Sequence, residues 1–216
     1  MMKNDCSIAR NLTLATGLCL LSTTASAGLF TYTGDSSMIV DVTNSANFNT
    51  LANDQSLTGY EEDGLIVSVN RTYFSWDAPG FDGSEMFYAN TGSLEMVDIS
   101  LSSGGQFNDL DMQVSSGWTP NSVGTVFIWI QLYSFGRIVG EFDLNAQSGE
   151  YVGIAGGGFD QILIGSYASS DIRDSHNPSA RNAIAIDNIS VGTYVPAPGA
   201  TALFVLGGIA GTRRRR

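Results

Sequence analysis

Outside its carboxylates this chain holds few groups that do chemistry. One histidine, His176, occurs in 216 residues, and both cysteines, Cys6 and Cys19, fall near the start. A serine–histidine–aspartate relay would depend on His176, which sits in the polar stretch Asp171-Ile172-Arg173-Asp174-Ser175-His176-Asn177-Pro178, and no Gly-x-Ser-x-Gly elbow accompanies it. A zinc centre draws several ligands from histidine and cysteine, which a lone histidine does not supply. The run Gly153-Ile154-Ala155-Gly156-Gly157-Gly158 precedes an extended segment and lacks a following lysine. It reads as a turn between strands, not as a phosphate loop.

Carboxylates are plentiful. Asp109 and Asp111 lie two apart on one strand face, which puts their Cα atoms about 6.6 to 6.8 Å apart. An inverting glycosidase separates its two carboxyl groups by roughly 6.5 to 9.5 Å, so the spacing admits that chemistry, although neighbouring acids are also ordinary on the wet side of a strand. Oxygen donors are dense at Glu61-Glu62-Asp63, at Asp77, at Asp82-Gly83-Ser84-Glu85 and at Asp187-Asn188. Candidate ligands for one structural calcium ion are therefore Glu61, Asp63, Asp82, Glu85 and Asp187, without the EF-hand spacing; the competing reading is a solvated acidic surface. Trp76, Trp118 and Tyr133 could stack on sugar rings, and each is equally a candidate for the core.

Charge narrows the partners. The formal net charge is −11. Between Gly28 and Pro198 only Arg71, Arg137, Arg173 and Arg181 stand against twenty carboxylates, a balance of −16. A surface of that sign excludes nucleic acid as a partner, because phosphate contacts need lysine and arginine.

The elements that must carry these residues read as strands. Runs rich in Val, Ile, Phe, Tyr and Trp recur at Met38 to Val42, Leu65 to Val69, Arg71 to Trp76, Leu94 to Leu101, Phe107 to Val114, Val123 to Ser134, Arg137 to Leu144, Phe159 to Tyr167 and Asn182 to Val191. Turn-forming residues separate them and no stretch keeps helical periodicity for three turns, so the expectation is an all-β antiparallel sandwich of jelly-roll type. Leu110, Met112 and Val114 alternate with Asp109, Asp111 and Gln113, which predicts a strand with one wet face. From Val126 to Tyr133 both faces are apolar, the mark of a central strand whose aromatic side is either covered by a loop or left open as a platform. Ile184 and Ile186 fall on one face and Ile189 and Val191 on the other. A bulge near Asp187-Asn188 must absorb one residue, with Asp187 tying down local backbone donors.

The two ends read as addresses. Lys3 and Arg10 precede an apolar stretch from about Leu12 to Leu21, and Ala25 and Ala27 form the A-x-A pattern that signal peptidase cleaves. Residues 1–27 are thus read as a signal peptide, 28–194 as the sandwich domain and 195–216 as a tail. Leu18 stands where a lipobox before Cys19 needs a small residue, which argues against lipidation. Both cysteines then leave with the leader, and the exported domain has no disulfide.

In the tail, Ala200 to Thr212 spans thirteen residues, about 20 Å as a helix, against roughly 30 Å of hydrocarbon. Thinning of the bilayer and arginines reaching the headgroups would accommodate so short a span. Arg213, Arg214, Arg215 and Arg216 would stay cytoplasmic and leave the domain outside. Val195, Pro196, Pro198 and Gly199, the apolar Leu203 to Ile209, and that arginine run together resemble the PEP-CTERM sorting signal of bacteria, with Ala197 where the usual motif has glutamate. The resemblance implies recognition by exosortase, a membrane-embedded cysteine protease. It also implies transient anchoring in the inner membrane, then release to the cell surface or to an extracellular matrix of exopolysaccharide. The stretch Asn182-Ala183-Ile184-Ala185-Ile186-Asp187-Asn188-Ile189-Ser190-Val191, together with Gly59-Tyr60-Glu61-Glu62-Asp63-Gly64, resembles jelly-roll domains of PEP-CTERM surface proteins and of carbohydrate-binding modules. The expected function is a non-catalytic exported module that binds polysaccharide. The alternatives are a purely structural matrix protein and an extracellular glycosidase.

Overall fold

The computed structural model describes residues 28–51, 56–77, 85–89, 96–116, 124–177 and 181–194, without the side chains of 56–57, 70–77 and 116. The expected leader 1–27, the proline–arginine stretch 195–216, Asp82 and Trp118 lie outside the described residues, and so does the side chain of Trp76. The described residues form thirteen strands and one short helix: β1 (Phe30–Gly34), β2 (Ile39–Ala46), β3 (Ser56–Glu62), β4 (Leu65–Asp77), β5 (Glu85–Ala89), β6 (Val97–Leu101), β7 (Asp109–Ser116), β8 (Thr125–Ser134), β9 (Arg137–Gln147), β10 (Tyr151–Ala155), β11 (Gln161–Tyr167), α1 (Ser170–Asp174), β12 (Arg181–Asn182) and β13 (Ile184–Tyr194). Among them no helix is long and apolar enough to cross a membrane.

Hydrogen bonding runs along the path β1-β10-β7-β13-β5-β4-β6-β11-β8-β9, with β2 beside β13, β3 beside β4 and β12 beside β11. Every pairing is antiparallel. The path closes on itself as a sandwich, because apolar side chains from both of its halves meet in one cluster. Leu110, Met112, Val114, Val152, Ile154, Ile186 and Val191 come from one layer, and Val97, Ile99, Ile128, Ile130, Leu132, Ile162 and Ile164 from the other. Alternation puts these residues inward and leaves their neighbours on the outer faces. β4 joins the layers: Leu65 to Ser68 pair with β6, and Phe74 to Asp77 pair with β5. The architecture is an all-β antiparallel sandwich of jelly-roll type, as the strand pattern predicts.

Several details depart from the sequence reading. The runs 65–69 and 71–76 are one strand, β4. β1, β3, β5 and β10 were not marked by apolar runs, and Gly153, Ile154 and Ala155 belong to β10, with the turn starting only at Gly156. Gly153 is a glycine because of its neighbour across the sheet. A Cβ there would lie 1.9 Å from the ring of Tyr32 on β1, which crosses the strand at that point. The polar stretch around His176 contains α1, capped at Ser169, whose Oγ accepts from the Ile172 N–H.

The expected bulge is present. Register between β13 and β7 shifts between Asp187 and Ser190, and Asn188 takes φ +46°. Asp187 is fully buried and its Oδ1 accepts the Asn188 N–H at 2.7 Å, while the Asn188 amide donates to Gln113 at 2.7 Å.

Candidate functional site

The outer face of the β1–β10–β7–β13 layer is closed at Asp111, in the middle of the strand that the sequence predicts to be wet. Asp111 has no exposed surface. Its Oδ2 accepts from the Tyr32 hydroxyl at 3.0 Å and the Met38 N–H at 2.8 Å, and its Oδ1 from the Ser37 hydroxyl at 2.9 Å. Burial pushes the Asp111 carboxyl above the usual carboxylate range, and these donors pull it back only in part; burial and then Asp111 drive the Tyr32 phenol well up. Asp109 accepts the Gly156 N–H on Oδ1 at 2.9 Å and the Tyr194 N–H on Oδ2 at 2.8 Å. Both members of the spaced pair therefore hold the chain's own backbone. The wet-face expectation fails at Asp111, because alternation reports which side is polar and Tyr32 and the Ser37–Met38 segment cover that side there; Asp109 and Gln113 on the same face stay half-buried.

At the end of this layer Phe30, Asn108, Asp109, Gly156, Gly157 and Tyr194 line a shallow cleft of about 370 Å³. The rings of Phe30 and Tyr194 meet edge to face at 5.3 Å, and Tyr194 leans on Tyr32 at 4.7 Å. Gly156 and Gly157 carry φ of +115° and +65°, conformations that favour glycine and leave the floor without side chains.

The opposite layer has a different outer face. Register places Ser68 (β4), Asp98 (β6), Leu163 (β11), Gln131 (β8) and Glu141 (β9) in one row across the strands. The adjoining row holds Ile66, Ser100, Gln161 and Tyr133. Two amide–carboxylate pairs cross this surface: Gln161 donates to Asp98 at 2.6 Å and Gln131 to Glu141 at 2.7 Å. Burial raises the Asp98 carboxyl, opposed by the Gln161 amide. Gln131, Gln161 and Tyr133 are half-buried and Glu141 is exposed. Tyr133, the one sugar-stacking candidate whose side chain is described, thus stands beside paired amides and acids.

Trp129, one row further along the same face, is closed off. The His176 ring stacks on it at 4.2 Å and 7°, and the Arg181 guanidinium lies 5.5 Å from its centre. His176 Nε2 is 3.2 Å from Asp143. Arg173, 9% exposed, donates to the Leu144 carbonyl at 2.9 Å and to Asp174 at 2.8 Å. The covered form of the aromatic face is the one realised at Trp129. His176 acts there as a lid on an indole, a role that its sequence context does not signal.

The calcium candidates do not form a site among the described residues, where no group of three or more His, Cys, Asp or Glu side chains converges. Glu61 is exposed on β3. Asp63, at φ +44° in the β3–β4 turn, accepts the Ser45 N–H at 3.0 Å. Glu85 opens β5, and Asp187 is turned onto Asn188.

No family model and no curated protein matches the chain. Among solved structures it is similar to the N-terminal CBM22-1–CBM22-2 tandem domain of Paenibacillus barcinonensis Xyn10C, with 11% identity and TM-score 0.38, over 76% of this chain and 48% of that one. The match therefore spans about half the length of the tandem domain. It is also similar to a variant of a family 29 carbohydrate-binding module, with 16% identity and TM-score 0.32, over 79% of this chain and 99% of that one.

Proposed function

We infer that the chain is an exported, non-catalytic β-sandwich module of the cell surface or extracellular matrix that binds a neutral polysaccharide on the outer face of the β4–β6–β11–β8–β9 layer. The observation that carries the reading is the pair of amide–carboxylate bridges, Gln161 to Asp98 and Gln131 to Glu141, beside Tyr133. Sugar hydroxyls both donate and accept, so a surface of amides and acids matches them, and a neighbouring ring covers the apolar face of the sugar. The excess of carboxylates repels anionic glycans and favours neutral ones. A non-catalytic role agrees with Asp109 and Asp111, whose oxygens are engaged by donors of the chain itself. In this reading signal peptidase removes residues 1–27, and the PEP-CTERM-like tail 195–216 holds the protein in the inner membrane until exosortase acts near Val195 to Gly199.

A glycan array probed with the full chain, in calcium and in chelator, tests the binding. The expected result is retention on neutral glycans that Tyr133→Ala lowers at least tenfold without shifting the melting temperature. An array without hits sinks it, and supports the second reading, a structural matrix protein with no small ligand, which the burial of Trp129 under His176 favours. For the tail, replacing Arg213 to Arg216 by glutamate in an exosortase-bearing host is expected to abolish retention and processing; normal processing refutes the sorting signal.

A further inference from the structure

The geometry points to a second glycan site on the opposite face of the sandwich, in the Phe30–Tyr194 cleft, which makes the chain a cross-linker of neutral polysaccharide strands; this rests on the polysaccharide-binding reading. Phe30 is 38% exposed at the head of β1, and its contact with Tyr194 is edge to face, so the two rings form a corner with apolar surface turned outward. Beside that corner stands Asp109, fixed by the Gly156 and Tyr194 N–H groups. A carboxylate has about four lone-pair sites, so Asp109 still accepts from ligand hydroxyls while the backbone keeps it rigid. Asn108 is exposed and supplies both a donor and an acceptor. The floor of Gly156 and Gly157 lets a ring approach the backbone.

Chemistry narrows the occupant. Among the described residues no lysine or arginine lines the cleft, so an anion gains nothing from them. One carboxylate with both oxygens already bonded is a poor cage for a metal ion, which takes six or more oxygens when it is calcium. An apolar corner beside a fixed acceptor and an amide suits a neutral polyol ring. The cleft volume, about 370 Å³, is at the small end of ligand pockets, which suits one or two sugar units.

Position adds the function. Phe30 and Asp109 lie on the outer face of one layer, and Gln131, Gln161 and Tyr133 on the outer face of the other, with the whole core between them. A short oligosaccharide does not reach both. Two polysaccharide strands bound at once are joined through the domain, and a single long strand gains avidity.

Calorimetry on the full chain with cellohexaose, xylohexaose and mannohexaose, paired with viscometry of a high-mass neutral glucan or xylan, tests the inference. The expected result is two hexasaccharides per chain for the sugar that binds. Phe30→Ala or Asn108→Ala leaves one, Tyr133→Ala leaves the other, and only the wild type thickens the polymer. Unchanged melting curves confirm that each variant folds. One hexasaccharide per chain, insensitive to Phe30→Ala, overturns the second site and leaves the sheet-face reading standing. Binding lost in Phe30→Ala but intact in Tyr133→Ala removes the sheet-face site and with it the cross-link. Absence of binding by all three sugars overturns both.

Discussion

On the β1–β10–β7–β13 face, Asp109 and Asp111 turn their oxygens to backbone N–H groups and to the hydroxyls of Tyr32 and Ser37. On the β4–β6–β11–β8–β9 face, Asp98 and Glu141 meet side-chain amides instead. The partner decides what the carboxylate is for. A backbone donor has nowhere else to go once buried, so the bond fixes the chain and losing it leaves an orphan. A side-chain amide at the surface can exchange its partner for water or a ligand hydroxyl at small cost.

The contrast is broken most severely at Asp111. Asp111→Ala strands the Met38 N–H and two hydroxyls, and is expected to cost about 3 kcal/mol in urea unfolding. Gly153→Val puts a side chain into the Tyr32 ring and is expected to cost about 2 kcal/mol by overpacking, with Tyr32 released from Asp111. Gly153→Val retaining wild-type stability would show that Tyr32 is not held across the strand.

Asp98 sharpens the comparison through pH. Its folded carboxyl is raised above the ordinary value of 3.8, with burial as the leading cause. The stability this contributes is complete below 3.8 and is lost as pH rises through the folded value. Asp98→Asn removes the ionisation, so the variant is expected to melt at or above the wild type at pH 7, with the two converging as pH falls below 3.8. A wider gap in acid would reverse the sign. Glu141→Ala, which removes an exposed acceptor, is expected to stay within about 0.5 kcal/mol of wild type.

Alternation made β7 and β8 legible, and the bulge at Asp187-Asn188 was legible because four isoleucine and valine positions change phase across it. Gly153 misled for a physical reason. Its cause is a tyrosine more than a hundred residues away in the chain, while local composition signals only a turn. Asp109 and Asp111 were visible as a polar face, but what covers a polar face is a tertiary fact. α1 is too short for periodicity, so the seal that it and the following His176 make over β8 and β9, with Arg173 on the Leu144 carbonyl and His176 on Trp129, had no local signature. Of the sugar-stacking candidates Tyr133 lies on the face described; the glutamines beside it carried no signal, since single amides in a strand are common.

β13 has one further consequence. It is the last described strand, flanked along its length by β7 on one side and by β5 and then β2 on the other. Antiparallel bonds run perpendicular to their strands. A pull on the chain beyond Tyr194, directed along β13, therefore loads those bonds in shear, many at once, instead of unzipping them singly. This last described strand is built as a mechanical anchor, with the Asp109 clip on the Tyr194 amide as its outermost fastening.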